Sequence, residues 1–539
     1  MHGDSTVPGV SGADQVRHGR GTLGVELGST RIKASLIGSD HSVLATGSFE
    51  WSSRLVDGSW TYPLGEVWTG LQAAVRALLD DCERSLGVRP SRFAAIGISA
   101  MMHGYLAFDG DGGLLVPFRT WRNTTADEAA RQLTAALGCR IPRRWSVAHL
   151  YQAMLDAEPH VADIRFLTTL AGYVHWQLTD QRVLGLGDAS GMFPIDSHSH
   201  QWDARRLEAF DRLAHARQPG TRLSDLLPIP LIAGADGGSL TARGALLLDP
   251  SGGLEAGSAS CPPEGDAGTG MVATNSVAVR TGNISVGTSV FAMIVLEASL
   301  PDVASDVDLV TTPSGERVAM IHCINGTGEL AEWASVFERF SAAIGNPVDR
   351  NTVFRTLLSE ALDGDDDCGG LLAYNFLAGE PIVGVSAGRP MLVRTPGSRL
   401  TLANLIRAQI FSSFGALSIG LRALEEEGVA VDTMHAHGGL FTTAGVGQKM
   451  LAAAIGHPVA VVETASEGGS WGIAVLAAYR SAVRAGDGSS LADYLETRVF
   501  AGAIAQAVVP HESDIAGYMK FLERYRAGLA IERVAEIAM

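Results

Sequence analysis

The chain has 539 residues, 46% of them hydrophobic, and a formal net charge of -17. That length predicts more than one domain with ample apolar material for large cores. The acidic balance argues against a general binder of nucleic acid or anionic membrane, and leaves open local phosphate binding by backbone N–H groups and a metal. No uninterrupted apolar run approaches the length that spans a bilayer. Cys82, Cys139, Cys261, Cys323 and Cys368 are scattered without a CxxC pair, which fits reduced cytosolic thiols rather than a disulfide frame or a zinc site. Residues 1–20 are polar and Gly-rich, lack the apolar core of a signal peptide, and read as a disordered lead-in.

Residues 22–37 and 41–51 have strand patterns, joined by a turn at Gly38-Ser39-Asp40. Residues 64–86 follow a helical period, with Val67, Leu71, Val75, Leu78 and Leu79 on one face. Phe93 to Ile98 is an apolar strand that runs into Ser99-Ala100-Met101-Met102-His103-Gly104. Asp109-Gly110-Asp111-Gly112 predicts a hairpin between 105–108 and 114–118. After Trp121-Arg122-Asn123, the capping-box spacing of Thr125 and Glu128 predicts a helix start. Residues 140–190 are mostly helical in pattern and end in the turn-forming cluster 187–191. Trp202-Asp203 opens another helix, and Pro228 and Pro230 make 223–233 extended or irregular. A Gly/Ser/Pro-rich stretch then leads to Glu264-Gly265-Asp266-Ala267-Gly268-Thr269-Gly270.

Beyond this point the pattern begins again. Strands are predicted near 308–311 and 317–322, and helices at 328–344, 350–362 and 401–425. A strand should end at His437-Gly438-Gly439, followed by a helix at 444–456, a strand at 458–462 and a helix from about 467. The restart is anchored by a pair of similar segments. Gly24 to Ile37 and Gly282 to Ile294 each read as two short strands around a Gly-hydroxyl turn, with Gly28-Ser29-Thr30 falling on Gly287-Thr288-Ser289. Such a turn can hold polyphosphate through backbone N–H groups and hydroxyls. One copy alone would be an ordinary hairpin; two suggest a duplicated domain with nucleotide between the halves.

Gly24–Lys33, Gly97-Ile98-Ser99 with Met102-His103-Gly104, Trp121-Arg122-Asn123, Gly265-Asp266-Ala267, Gly287-Thr288-Ser289 and His437-Gly438-Gly439 form an ordered set. Over about residues 22–485 this set resembles the FGGY carbohydrate kinases of the actin/hexokinase/Hsp70 ATPase superfamily. The resemblance implies an α/β protein of two ribonuclease-H-like (actin-like ATPase) domains around a central cleft, with ATP and magnesium beside an open-chain ketose or polyol. The halves would be a sugar-binding and catalytic domain at 21–278 and a nucleotide-binding domain at 279–539. By the same resemblance the protein is cytoplasmic. Its partners are sugar and ATP, with no nucleic acid and no membrane. Dimers are common in such kinases, although no stretch reads as an interface.

Phosphoryl transfer to a hydroxyl needs a carboxylate that accepts the proton as the hydroxyl attacks. Asp266 matches the family's catalytic aspartate and is also a candidate for metal and substrate contact; Asp236, in another Gly-bounded loop, ranks second. Glu26 stands where most of the family has an aspartate that helps hold magnesium, a hard cation that takes oxygen ligands. Lys33 reads as a solvent-facing strand residue, with phosphate contact as the alternative. Met102 and His103 match the sugar-contacting Gln-Met-His-Gly segment, with Met101 in place of its glutamine. Trp121, Arg122 and Asn123 match the Trp-x-Asp sugar segment, with asparagine for aspartate. Gly28, Ser29, Thr30, Gly287, Thr288 and Ser289 are the phosphate-turn candidates, and Gly438 and Gly439 would lie against the adenine or α-phosphate. Gly468-Gly469 reads as helix packing rather than ligand contact. The expected reaction is ATP-dependent phosphorylation of a terminal hydroxyl of a ketose, a pentulose first. The alternatives are a catalytically altered sugar-binding protein and an actin-like ATPase.

Overall fold

The computed structural model describes residues 11–298, 300, 307–443, 445–461, 468–502 and 506–538. The chain forms two compact units. One takes Met1–Val277 together with 309–317 and 467–501; the other takes 278–308, 318–466 and 502–539. The division is therefore not a single boundary near 278: two later segments return to the first unit.

In the first unit, β1 (Thr22–Leu27), β2 (Arg31–Ile37), β3 (Val43–Glu50), β4 (Ala95–Ala100) and β5 (Ala259–Ser260) lie in the order β5-β4-β1-β2-β3, with β6 (Glu264–Gly265) beside the end of β4. The central strand β1 is antiparallel to β2 and parallel to β4. Helix α1 (Leu64–Leu86) buries Val67, Leu71, Val75 and Leu78 against β2 and β3, as its periodicity predicts.

The second unit repeats this plan. Its strands β7 (Thr281–Val286), β8 (Val290–Val295), β9 (Arg317–Cys323), β10 (Thr433–Gly438), β11 (Val459–Val461) and β12 (Gln506–Val508) lie in the order β9-β8-β7-β10-β11-β12. Here β7 is antiparallel to β8 and parallel to β10. Both units thus surround their Gly-hydroxyl turn with the same strand arrangement. The turns differ in length, residues 28–31 between the Leu27–Ile32 pair and 287–289 between the Val286–Val290 pair.

Two helices account for much of the packing. In the second unit, α3 (Leu402–Glu426) is capped by Thr401, whose hydroxyl accepts the Asn404 N–H. By length and mean hydropathy it could cross a membrane, although Asn404, Arg407 and Gln409 interrupt its apolar run. Its Ile406, Ile410, Phe414 and Leu417 are fully buried, so its apolarity belongs to a core helix. In the first unit, α4 (Gly468–Arg484) lies against β1, β2 and β4. It approaches so closely that a Cβ on Gly24 would sit 2.1 Å from the Ser470 carbonyl oxygen.

Several local readings change. Residues 1–10 lie outside the described residues, but residues 12–17 form a helix capped by Ser11 with Gln15 and Val16 buried, so the lead-in is not disordered to residue 20. The strand Leu106–Phe108 pairs with Phe166–Thr168, while Phe108 and Leu114 share only an isolated bridge. The helix after Asn123 begins at Asp127 with no side-chain cap, so Thr125 does not cap it. Glu467, at the expected start of the helix from about 467, lies outside the described residues.

Candidate active site

Each unit carries one turn whose carbonyls are tied back to the protein. In the first, Gly28 O accepts the Trp51 indole N–H at 2.7 Å, Ser29 O accepts the Tyr62 hydroxyl at 2.6 Å, and Thr30 O accepts the Trp51 backbone N–H at 3.1 Å. In the second, Gly287 O accepts both the Thr327 N–H at 2.8 Å and its hydroxyl at 3.0 Å, and Thr288 O accepts the Gly326 N–H at 2.7 Å. A trans peptide points its N–H opposite to its C=O. The N–H groups of Ser29, Thr30, Thr288 and Ser289 therefore face away from these anchors. Ser29, Thr30, Gly287 and Thr288 are exposed and Ser289 is half-buried, so both turns leave donors and hydroxyls accessible, an arrangement able to take an anion.

Within the first unit the sheet and two helices gather carboxylates. Asp266 is the first residue of α2 (Asp266–Ala273), directly after β6. Its Oδ1 accepts the Met102 N–H at 3.0 Å and the Ala267 N–H at 2.9 Å. Burial raises its pKa, and those N–H groups offset part of the rise. Glu26 lies on β1, in register with Lys33 of β2 and Ser99 of β4. Its pKa is pushed up to about 7, first by burial and further by the charge of Asp266; the Lys33 ammonium and the Gly469 and Ser470 N–H groups act the other way. The N-terminus of α4 thus supplies its donors to a carboxylate.

Gly469 and Gly472 are glycines for contact reasons. A Cβ on Gly469 would lie 2.4 Å from Glu26 Oε1, and one on Gly472 would lie 2.2 Å from the Thr269 carbonyl on α2. Lys33 is half-buried opposite Glu26, not a solvent-facing strand residue.

Two further carboxylates, unmarked by any motif, stand behind Asp266. Asp188 Oδ2 accepts the Thr169 hydroxyl at 2.6 Å, while its buried Oδ1 has no partner among the described residues. Burial, then the charges of Glu264 and Asp266, hold its carboxyl well above the usual range. Glu264 accepts the N–H groups of Gly187 and Asp188 and is pushed up to about 7 by burial. The only sequence signal was that the turn cluster 187–191 and the Glu264–Asp266 stretch each pair glycine with an acid.

After β4 the chain turns sharply. His103 is buried with φ 71°, a left-handed conformation that costs a non-glycine residue about 1–3 kcal/mol and so marks a site where strain is tolerated. Its Nδ1 lies 3.2 Å from the Gly191 carbonyl. Met102 is buried, and its side chain fills the space a Cβ on Gly265 would enter. Trp121 is half-buried against the first unit's core. Arg122 is exposed, with its guanidinium 3.9 Å from the Trp60 ring centroid and bonded to the Ser53 hydroxyl.

Asn123 requires a correction. Its Oδ1 accepts the Trp60 N–H at 2.7 Å and its Nδ2 donates to Trp60 O at 2.8 Å and Thr120 O at 3.0 Å. With 2% exposure and both ends of the amide engaged, it holds the 54–61 hairpin and does not face a ligand.

The remaining candidates separate. Asp236 is mostly exposed and lies 3.3 Å from Arg480, with Oδ1 accepting the Gly238 N–H. That N–H holds its carboxyl below the usual range, so it is an ordinary turn aspartate. Gly438, at the end of β10, is a glycine because a Cβ there would sit 2.0 Å from the Val286 carbonyl oxygen. Its glycine is thus accounted for by strand contact rather than by approach to adenine. Gly439 is exposed and has open space where a Cβ would be.

The described arrangement agrees with known proteins along most of its length. The N-terminal domain of the FGGY family of carbohydrate kinases matches residues 22–216, and the C-terminal domain of the same family matches residues 282–481. The chain belongs to the FGGY family of carbohydrate kinases. Among curated proteins, a glycerol kinase of Thermococcus gammatolerans is 22% identical over 204 residues, 35% of this chain and 41% of the relative. The FGGY chain thus spans about two fifths of that relative's length. Among solved structures, a xylulose kinase from Rhodospirillum rubrum aligns with a TM-score of 0.75 at 18% identity, covering 96% of this chain and 100% of the other. A gluconate kinase from Lactobacillus acidophilus aligns with a TM-score of 0.77 at 17% identity, covering 95% and 98%. At these identities the likeness establishes the fold of this FGGY protein, a mixed α/β kinase fold of the actin-like ATPase type.

Proposed function

We propose that this FGGY protein is an ATP-dependent carbohydrate kinase that phosphorylates a terminal hydroxyl of a ketose, with a pentulose as the first candidate. The observation that carries the reading is Asp266. It is a half-buried carboxylate with raised proton affinity, fixed by two backbone N–H groups at the start of a helix, with the Met102–His103 segment bonded to it. A base in that setting accepts the proton of an attacking hydroxyl, a step worth about 10²–10⁴-fold in rate. Met102, His103, Trp121 and Arg122 are the proposed sugar contacts, with Asn123 supporting them from behind. Gly28–Thr30 and Gly287–Ser289 are proposed to hold phosphate oxygens through their outward N–H groups, and Gly439 is a second nucleotide contact.

Magnesium fits the donor set. Glu26 and Asp266 are two oxygen donors; burial first and the charge of Asp266 further raise Glu26, and a divalent cation would relieve that repulsion. When bound, the ion neutralises charge on the transferring phosphoryl group. Lys33 already places one positive charge opposite Glu26, which suits a metal held through water rather than by a full protein cage. The five buried free cysteines suit a reducing, cytoplasmic setting.

The test is a coupled ADP-release assay over ketopentoses, ketohexoses, glycerol, erythritol and gluconate. Sugar-stimulated turnover lost in Asp266→Asn supports the reading. Sugar-independent ATP hydrolysis, or sugar binding without turnover, sinks it.

A further inference from the structure

Behind the second turn lies a buried polar assembly far from Asp266 in sequence. Glu380 is fully buried, and its Oε2 accepts both the backbone N–H and the side-chain N–H of Asn325 at 3.1 Å. Asn325 Oδ1 in turn accepts the Ala378 N–H at 2.9 Å. Asn375 donates to the carbonyls of Asn325 and Gly326 at 3.1 and 2.7 Å, and is itself held by the Ser412 hydroxyl. The segment fixed in this way, 325–327, supplies the donors to the Gly287 and Thr288 carbonyls among the described residues. It approaches so closely that a Cβ on Gly326 would sit 2.3 Å from Gly287 O.

We infer that Glu380 and Asn325 are positioning residues for nucleotide, setting the direction of the Thr288 and Ser289 N–H groups through the 325–327 segment. The inference rests on the proposed role of the Gly287–Ser289 turn in holding phosphate. The Glu380 carboxyl group is fully buried and acts through its bonds to Asn325. It fixes Asn325 at two points, Asn325 fixes the segment, and the segment turns two carbonyls inward so that the following N–H groups point out. A buried polar chain of this kind has one well-bonded arrangement, so loosening any member lets the turn sample orientations that present carbonyl instead of N–H.

The test uses the full chain and a fluorescent N-methylanthraniloyl-ADP as probe. In Glu380→Ala and Asn325→Ala the Kd for the probe should rise roughly tenfold. The KM for ATP should rise in parallel, with the KM for sugar unchanged. Glu380→Gln keeps an oxygen acceptor of the same reach and should restore both values to within about threefold of the parent. Thr327→Val, which removes one hydroxyl from a half-buried residue and leaves the backbone N–H in place, should raise the KM for ATP several-fold even if the buried variants do not fold. Unchanged probe binding in folded Glu380→Ala, or an unchanged KM for ATP in Thr327→Val, overturns the inference. A parent protein that binds no probe at all removes the nucleotide reading itself, and the inference with it.

Discussion

Replacing Gly24 by alanine tests whether α4 truly seats on β1. The added Cβ would lie 2.1 Å from Ser470 O, 2.7 Å from Ala474 N and 2.9 Å from Ala474 Cβ. Two of these three atoms are backbone, so no side-chain rotation relieves the overlap, and the helix must move by roughly 1 Å to reach ordinary contact. Overpacking of this kind costs about 1–3 kcal/mol. Moving α4 also draws the Gly469 and Ser470 N–H groups from Glu26, and each such bond to a charged group is worth about 1.5–3 kcal/mol when fully formed. Because Glu26 is only half-buried, we expect a total near 3 kcal/mol. At about 2–4 °C per kcal/mol this lowers the unfolding midpoint of the first unit by roughly 6–12 °C. The control is Gly65→Ala, near the start of α1, where a Cβ meets nothing within 4 Å. That change should be neutral or stabilise by up to about 1 kcal/mol. Thermal and urea unfolding followed by circular dichroism compare the two. If Gly24→Ala falls within about 0.5 kcal/mol of Gly65→Ala, the close packing of α4 on β1 is refuted.

Three further outcomes follow from the same geometry. Asp266→Asn should lower kcat by about 10²–10⁴-fold while the KM for sugar and the unfolding midpoint change little, because Asn Oδ1 can still accept the Met102 N–H; a kcat within threefold of the parent removes Asp266 as base. Glu380, pushed up to about 7, stays protonated in the folded state where the unfolded chain is already ionised, so its contribution to stability is complete below about 4.5 and is lost as pH rises through 7. That amounts to about 3 kcal/mol, and urea midpoints at pH 5 and 8 should show a shallower decline in Glu380→Gln; the facing groups Cys323 and Tyr525 are both raised well above their usual values and do not titrate in this window. Asn123→Asp, which restores the family's usual acid, should give no gain in activity and a loss of about 2–3 kcal/mol, because a carboxylate would replace the donor to the Trp60 and Thr120 carbonyls; higher turnover with unchanged unfolding would place residue 123 in the sugar site after all.

Local pattern alone determined a large share of this protein. The 3.6-residue period of 64–86, the alternation around Gly28 and Gly287, and the long helix at about 401–425 depend on residues a few positions apart, and each appears where the sequence places it. Asp266 was likewise singled out, through the resemblance of Gly265-Asp266-Ala267 to the family's catalytic segment. What only the tertiary structure decided depends on partners distant in sequence. Glu26 meets the start of α4 more than four hundred residues later, at Gly469 and Ser470. Asn123 spends its amide on Trp60, and Asp188 meets the acids at 264 and 266. Glu380 reaches the second turn only through Asn325 and the 325–327 segment. A buried polar group must find its hydrogen bonds wherever the fold brings a partner, and hydrophobic periodicity carries no record of that partner's identity. The sequence could therefore nominate the turns and a candidate base, while the bonds that orient them arose only when the chain closed on itself.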